Sequence, residues 1–176
     1  LQRMSGAKIA ASEDSAQAMK TGSALANDPQ AGNGEAMNFP AISNISVITD
    51  GERIGLGKKA VTATFTPGHS PGGTTWSWQS CEASKCVTLV FADSLSSVSD
   101  DTYQFSAHPE YLARFKKSIE TVSGLKCDII IAAHPSFSSL FEKAQANRFI
   151  DENSCKKYAE NARQNLEKRL AQELQN

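Results

Sequence analysis

Two histidines in this chain stand where a strand-like run gives way to a tight corner. His69 lies in Thr66-Pro67-Gly68-His69-Ser70-Pro71-Gly72-Gly73, after the alternating run Val61 to Phe65 and before the run Thr74 to Trp78. Turns are built from Gly, Pro, Asn, Asp and Ser, so a histidine set among them implies an imidazole held at a rigid rim. His134 follows the apolar run Ile129 to Ala132 and precedes Pro135, again at a strand's end. Between the two, Val90-Phe91-Ala92 runs into Asp93-Ser94-Leu95-Ser96. That is an acid followed by two hydroxyls at i and i+2, which share a side. Side chains presented from strand ends onto a common rim are how α/β sheets build sites. Imidazoles on such a rim are candidate metal ligands.

Each of these residues also has an ordinary reading. A strand-end histidine can be a hydrogen-bonded structural residue, Asp93 can cap a turn, and Ser94 and Ser96 can be loop hydroxyls. His108, just before Pro109, reads as a neighbour of a helix start.

The elements that must position them follow from patterning. Leu1 to Ser5 with Gly6 reads as the tail of a helix ending at a glycine C-cap, so sequence is expected before Leu1. Ala7 to Ala11 reads as a short strand. Ser12 caps a helix to Lys20, with Glu13 and Asp14 in its first turn. Residues 23–40 are small, polar and broken by Gly and Pro, which predicts a long loop. Asp50-Gly51 between Ile45–Ile48 and Arg53–Leu56 is a hairpin signal. Strands continue through Val61–Phe65, Thr74–Trp78 and Val87–Phe91. A helix starts at Pro109, with Leu112, Phe115, Ile119 and Val122 at helical spacing. The last helix, about Ser154 to Leu174, carries Tyr158, Ala162, Leu166 and Leu170 along one stripe. A sheet with helices on one face needs a cover on its other face, and this chain does not obviously supply one.

Bulk properties narrow the classes. A net charge of −1 over 176 residues gives no basic footprint for nucleic acid. No apolar run approaches the roughly 18 residues of a membrane span. The four cysteines form an even set, with Cys81 and Cys86 bracketing a hairpin-sized loop and Cys127 and Cys155 left as a second pair. This reads as two disulfides, Cys81–Cys86 and Cys127–Cys155, with four buried thiols as the alternative. No two cysteines show the C-x-x-C spacing of a zinc knuckle. Oxidised pairs imply an exported protein, periplasmic or secreted.

The motifs GHSPGGTTW, FADSLS, CDIIIAAHPS and NSCKKYAE, in this order and spacing, resemble those of the third subclass of metallo-β-lactamases over essentially the whole chain. The resemblance implies an α/β fold, the C-terminal half of an αββα sandwich. It makes residues 1–176 a single domain, incomplete at its N-terminus. It also implies two zinc ions and β-lactam substrates. His69 then resembles the third histidine of one zinc site and His134 the last histidine of the other. Ser94 and Ser96 resemble the hydroxyls that hold the substrate carboxylate, and Ser70 stands where many members have threonine. The cluster H-x-H-x-D-H followed by Gly-Gly is absent from this sequence. The remaining ligands are therefore expected on a missing N-terminal half.

Two other readings accompany this one. A thioesterase- or lactonase-type hydrolase of the same superfamily would use Asp93 to bridge the metals. An inactive fragment would self-associate through an uncovered sheet face. The loops 23–40 and 97–105 are expected to shape β-lactam preference.

Overall fold

A computed structural model describes residues 2–57 and 59–175. The expectation for Leu1 lies outside them; the helix beside it, α1, spans Gln2–Ser5. Next come β1 (Ile9–Ala11) and α2 (Glu13–Thr21). Ser12 caps α2, accepting the Ser15 N–H, and Gly22 ends it in the left-handed conformation at φ 75°. The predicted loop contains 3-10 turns over Ala31–Met37, broken at Gly34.

Strand β2 (Ile45–Val47) pairs in parallel with β1 as a separate two-stranded sheet. The hairpin expected at Asp50-Gly51 therefore does not join β2 to β3 (Arg53–Leu56). The turn forms, with Gly51 at φ 78°, but it docks elsewhere. Gly51 N–H donates to the Ala63 carbonyl at 2.9 Å, and Asp50 Oδ1 accepts the Phe65 N–H at 2.7 Å. Asp-Gly supplied the bend, and tertiary pairing decided what it connects.

The main sheet contains β3, β4 (Lys59–Phe65), β5 (Thr74–Glu82), β6 (Lys85–Ala92) and β7 (Ile129–Ala132) in that spatial order. Its pairs are antiparallel except β6–β7, which is parallel. Helices α3 (Pro109–Gly124) and α5 (Ser154–Glu173) cover one face. There Val90, Ala92, Ile130 and Ala132 meet Phe115, Val122, Tyr158 and Leu166 in the buried core. A short helix α4 (Leu140–Gln145) lies between β7 and α5.

Alternation along a strand sends the intervening residues to the opposite face. Register places Trp76 opposite Phe91 and Phe91 opposite Ile131; Trp78 faces Leu89 and Leu89 faces Ile129. These two apolar rows are only partly covered, and Phe91 is 37% exposed.

Both disulfides are formed. Cys81 and Cys86 are directly paired across the β5–β6 turn, with Cα atoms 4.0 Å apart. Cys127–Cys155 ties the residue two before β7 to the first turn of α5. No described helix is long and apolar enough to cross a membrane.

Candidate active site

Three connections converge at one end of the main sheet. Phe65 pairs with Thr74, so residues 66–73 form a closed corner between β4 and β5. Strand β6 ends at Ala92 beside Ala132, the last residue of β7, and the two strands run the same way. The segments 93–96 and 133–134 therefore leave the sheet side by side. The Asp93 carboxylate stitches the first two connections together, Oδ2 accepting the Thr74 N–H at 3.0 Å and Oδ1 the Ser94 N–H at 2.8 Å. Burial pushes this carboxyl above the ordinary aspartate range.

The corner is held from three sides, which answers why histidine sits among Pro and Gly. From α3, Ser118 Oγ donates to the Pro67 carbonyl at 2.6 Å and Tyr111 Oη to the Gly68 carbonyl at 3.1 Å. A Cβ at Gly68 would collide with the Phe115 ring. From α2 and its cap, Ser12 and Ser15 hydroxyls donate to the Gly72 carbonyl at 2.7 and 2.9 Å. From the long loop, Gln30 Nε2 donates to the His69 carbonyl at 3.4 Å. Asp28, buried beside it with its carboxyl raised by desolvation, accepts the Gln30 N–H at 2.8 Å.

His69 Nδ1 lies 3.0 Å from Ser96 Oγ and 3.3 Å from the Ser96 carbonyl oxygen. A carbonyl oxygen only accepts, so in the neutral ring this contact puts the proton on Nδ1 and leaves the lone pair on Nε2. A hydrogen bond at one ring nitrogen is how proteins orient a histidine whose other nitrogen binds a metal. Ser94 Oγ lies 3.0 Å from Ser96 Oγ, and Ser94 is 4% exposed while Ser96 is half-buried.

His134 is exposed at the end of β7, its ring edge-on to Phe137 at 5.3 Å. A cleft of about 330 Å³ has Ser96 on one wall and Ser136 and Phe137 on another, with Tyr158 and Lys168 of α5 lining it. The partners of both histidines thus border one cleft. His108 lies apart from it, stacked on Tyr103 at 4.4 Å, next to the start of α3.

The loops 23–40 and 97–105 are clasped to each other by Asp100. Its Oδ2 accepts the Gly32 N–H at 2.9 Å, and its own N–H donates to the Pro29 carbonyl at 2.9 Å.

Zinc fits this donor set in kind but not in number. A free Nε2 on an oriented imidazole is a zinc donor, yet zinc sites take three or four protein ligands. Among the described residues, no group of three or more His, Cys, Asp or Glu could hold a metal ion.

Sequence reading missed Asp28, Gln30, Ser118, Tyr111 and Tyr158 as parts of this site. Only Asp28-Pro29 carried a local signal, as a turn dipeptide.

No family sequence profile matches the chain. Solved structures do. The metallo-β-lactamase SMB-1 bound to 2-mercaptoethanesulfonate is 42% identical, with a TM-score of 0.91, over 98% of this chain and 68% of that one. MEM-A1, a subclass B3 metallo-β-lactamase from a soil metagenome library, is 40% identical at 0.90, over 98% and 68%. Rm3 metallo-β-lactamase is 37% identical at 0.93, over 98% and 66%. The chain therefore spans about two thirds of their length.

Proposed function

The chain belongs to the subclass B3 metallo-β-lactamases, and on that premise we propose that it forms part of a zinc-dependent hydrolase of the β-lactam amide bond. His69 supplies one zinc ligand and His134 a ligand to a second zinc. The observation that carries this is the approach of His69 Nδ1 to both Ser96 oxygens, which in the neutral ring turns the lone pair of Nε2 away from Ser96. Zinc held by these histidines together with the remaining ligands would supply activated water near neutral pH and polarise a carbonyl.

The chain's own residues do the rest of the work assigned here. The corner 66–73 fixes His69 through α2, α3 and the long loop. Ser96, on the cleft wall, receives the substrate carboxylate, and buried Ser94 backs its hydroxyl. The clasped loops around Asp100 border the substrate's substituents. Each oxygen of Asp93 accepts a backbone N–H, which gives this carboxylate a structural role in joining the two connections without a bridging metal, as the lactamase reading has it and the thioesterase or lactonase alternative does not.

The remaining ligands come from a segment corresponding to the unmatched third of the relatives. The apolar rows Trp76–Phe91–Ile131 and Trp78–Leu89–Ile129 are its seat, and the same rows would drive self-association without it. Two disulfides accord with a periplasmic or secreted protein.

Zinc titration and hydrolysis of a chromogenic cephalosporin test the reading. The 176-residue chain alone should bind no zinc tightly and show no turnover. Joined to that segment from a subclass B3 relative, it should bind two zincs and hydrolyse the lactam. Tight two-zinc binding by the chain alone, or no zinc binding by the joined protein, would overturn it.

A further inference from the structure

We infer that Tyr158 is a positioning residue whose phenol holds the Asp93–Ser96 turn in the shape that brings Ser96 to His69. Tyr158 is 4% exposed on α5, and its side chain reaches back across the core to a segment more than sixty residues away. Its hydroxyl donates to the Asp93 carbonyl at 2.7 Å and accepts the Leu95 N–H at 3.2 Å. Leu95 is 2% exposed, so water is a poor substitute partner for its amide. Within the turn, Asp93 Oδ1 accepts from Ser94 and Ser94 Oγ accepts the Ser96 N–H at 3.3 Å, while from β5 Thr75 Oγ1 accepts the Asp93 N–H at 3.4 Å. Among the described residues, the phenol is the one side chain from outside that serves both a carbonyl and an amide of this turn.

A phenylalanine ring would fill the same core volume and leave both backbone groups orphaned. Buried backbone groups are nearly always paired, so the turn would have to open toward solvent, carrying Ser96 away from His69 Nδ1. Burial pushes the phenol up to about 12, which keeps it protonated and able to donate across the neutral range. One turn earlier on the same helix, Cys155 is bridged to Cys127 just before β7. A single turn of α5 therefore sets the Ser94/Ser96 wall through a hydrogen-bonded phenol and anchors the strand leading to His134 through a covalent bond.

The functional meaning of this clamp rests on the proposed roles of His69 and Ser96, but its test needs no catalysis. In the isotope-labelled 176-residue chain, Tyr158→Phe should stay folded with both disulfides. The Leu95 amide should exchange about tenfold faster or more, and the ring ¹⁵N signals of His69 should shift at a fixed pH near 8. A Leu166→Val control, which loosens the α5 core away from the turn, should move neither signal. Unchanged Leu95 protection and His69 signals in folded Tyr158→Phe would overturn the inference, as would equal changes in the control. If Tyr158→Phe does not fold, the unmodified chain decides. Leu95 protection matching the β6 amides supports the clamp, and exchange at free-loop rates overturns it. Absence of lactam hydrolysis in the completed protein bears on the proposed function alone.

Discussion

Ser96 offers His69 two oxygens at once, its hydroxyl at 3.0 Å and its own carbonyl at 3.3 Å from the same ring nitrogen. In the neutral ring the carbonyl alone sets the tautomer, so the hydroxyl, which also meets Ser94 Oγ at 3.0 Å, is not needed to set it.

That division predicts the outcome of Ser96→Ala in the completed, zinc-loaded protein. The carbonyl still orients His69, while the hydroxyl proposed to meet the substrate carboxylate is lost. A hydrogen bond to a charged group contributes about 1.5–3 kcal/mol. KM for a carboxylate-bearing β-lactam should rise about tenfold or more, with kcat changed much less. Steady-state kinetics decide it; a fall in kcat at constant KM would contradict this assignment.

His69→Ala and His134→Ala should each cost the completed protein one of its two zincs and leave the other. Metal content after dialysis, read by mass spectrometry under native conditions, reports this directly. Hydrolysis should fall by about a hundredfold or more in each, as a catalytic zinc site needs its full ligand set. Retention of two zincs in either variant would remove that histidine from the ligand set.

The two disulfides should differ in weight. Cys127–Cys155 closes a separation of 28 residues and Cys81–Cys86 one of 5. Loop-closure entropy then assigns about 3–4 kcal/mol to the first and about 2 kcal/mol to the second. Urea unfolding of the Cys127→Ala/Cys155→Ala and Cys81→Ala/Cys86→Ala pairs should reproduce that order; the reverse order would count against the entropic account.

Alkaline pH should weaken the fold through Tyr158. Its phenol moves from an ordinary value near 10 to about 12 on burial. The folded state therefore holds the proton where the unfolded state has released it. The contribution is complete below pH 10 and is lost as pH rises through about 12, at up to about 1.4 kcal/mol per pH unit. Urea midpoints between pH 9 and 11 should fall, and Tyr158→Phe should flatten the slope. Tyr111, raised in the same direction by burial, contributes to both proteins and cancels in the comparison.

What was legible in the sequence was local. The Pro/Gly corner around His69, the helix starting at Pro109 and the stripe of the last helix all rest on residues near one another in the chain. The helix from Pro109 and the last helix both formed close to the expected bounds. The cysteine pairing was legible because four residues leave few options. What was not legible depends on partners far away. Tyr158 reads as one more apolar residue on a helical stripe, since nothing near position 158 reveals that its hydroxyl meets Asp93 and Leu95. Asp50-Gly51 has the chemistry of a hairpin turn, yet β2 pairs with β1 and the turn itself docks on β4. Helix α4 and the 3-10 turn before it, Pro135–Ser138, are too short to show a period.

The parallel pairing of β7 with β6 carries one last consequence. Shifting a strand by a single residue against its neighbour turns all its side chains to the opposite side. β7 is only four residues long and borders the sheet on one flank, so few ladder bonds resist such a slide. The covalent link at Cys127 and the Asp128 carboxylate gripping the Thr88 N–H at 2.7 Å index the strand from its start. They act as a ratchet tooth: the imidazole at its far end can face only one way.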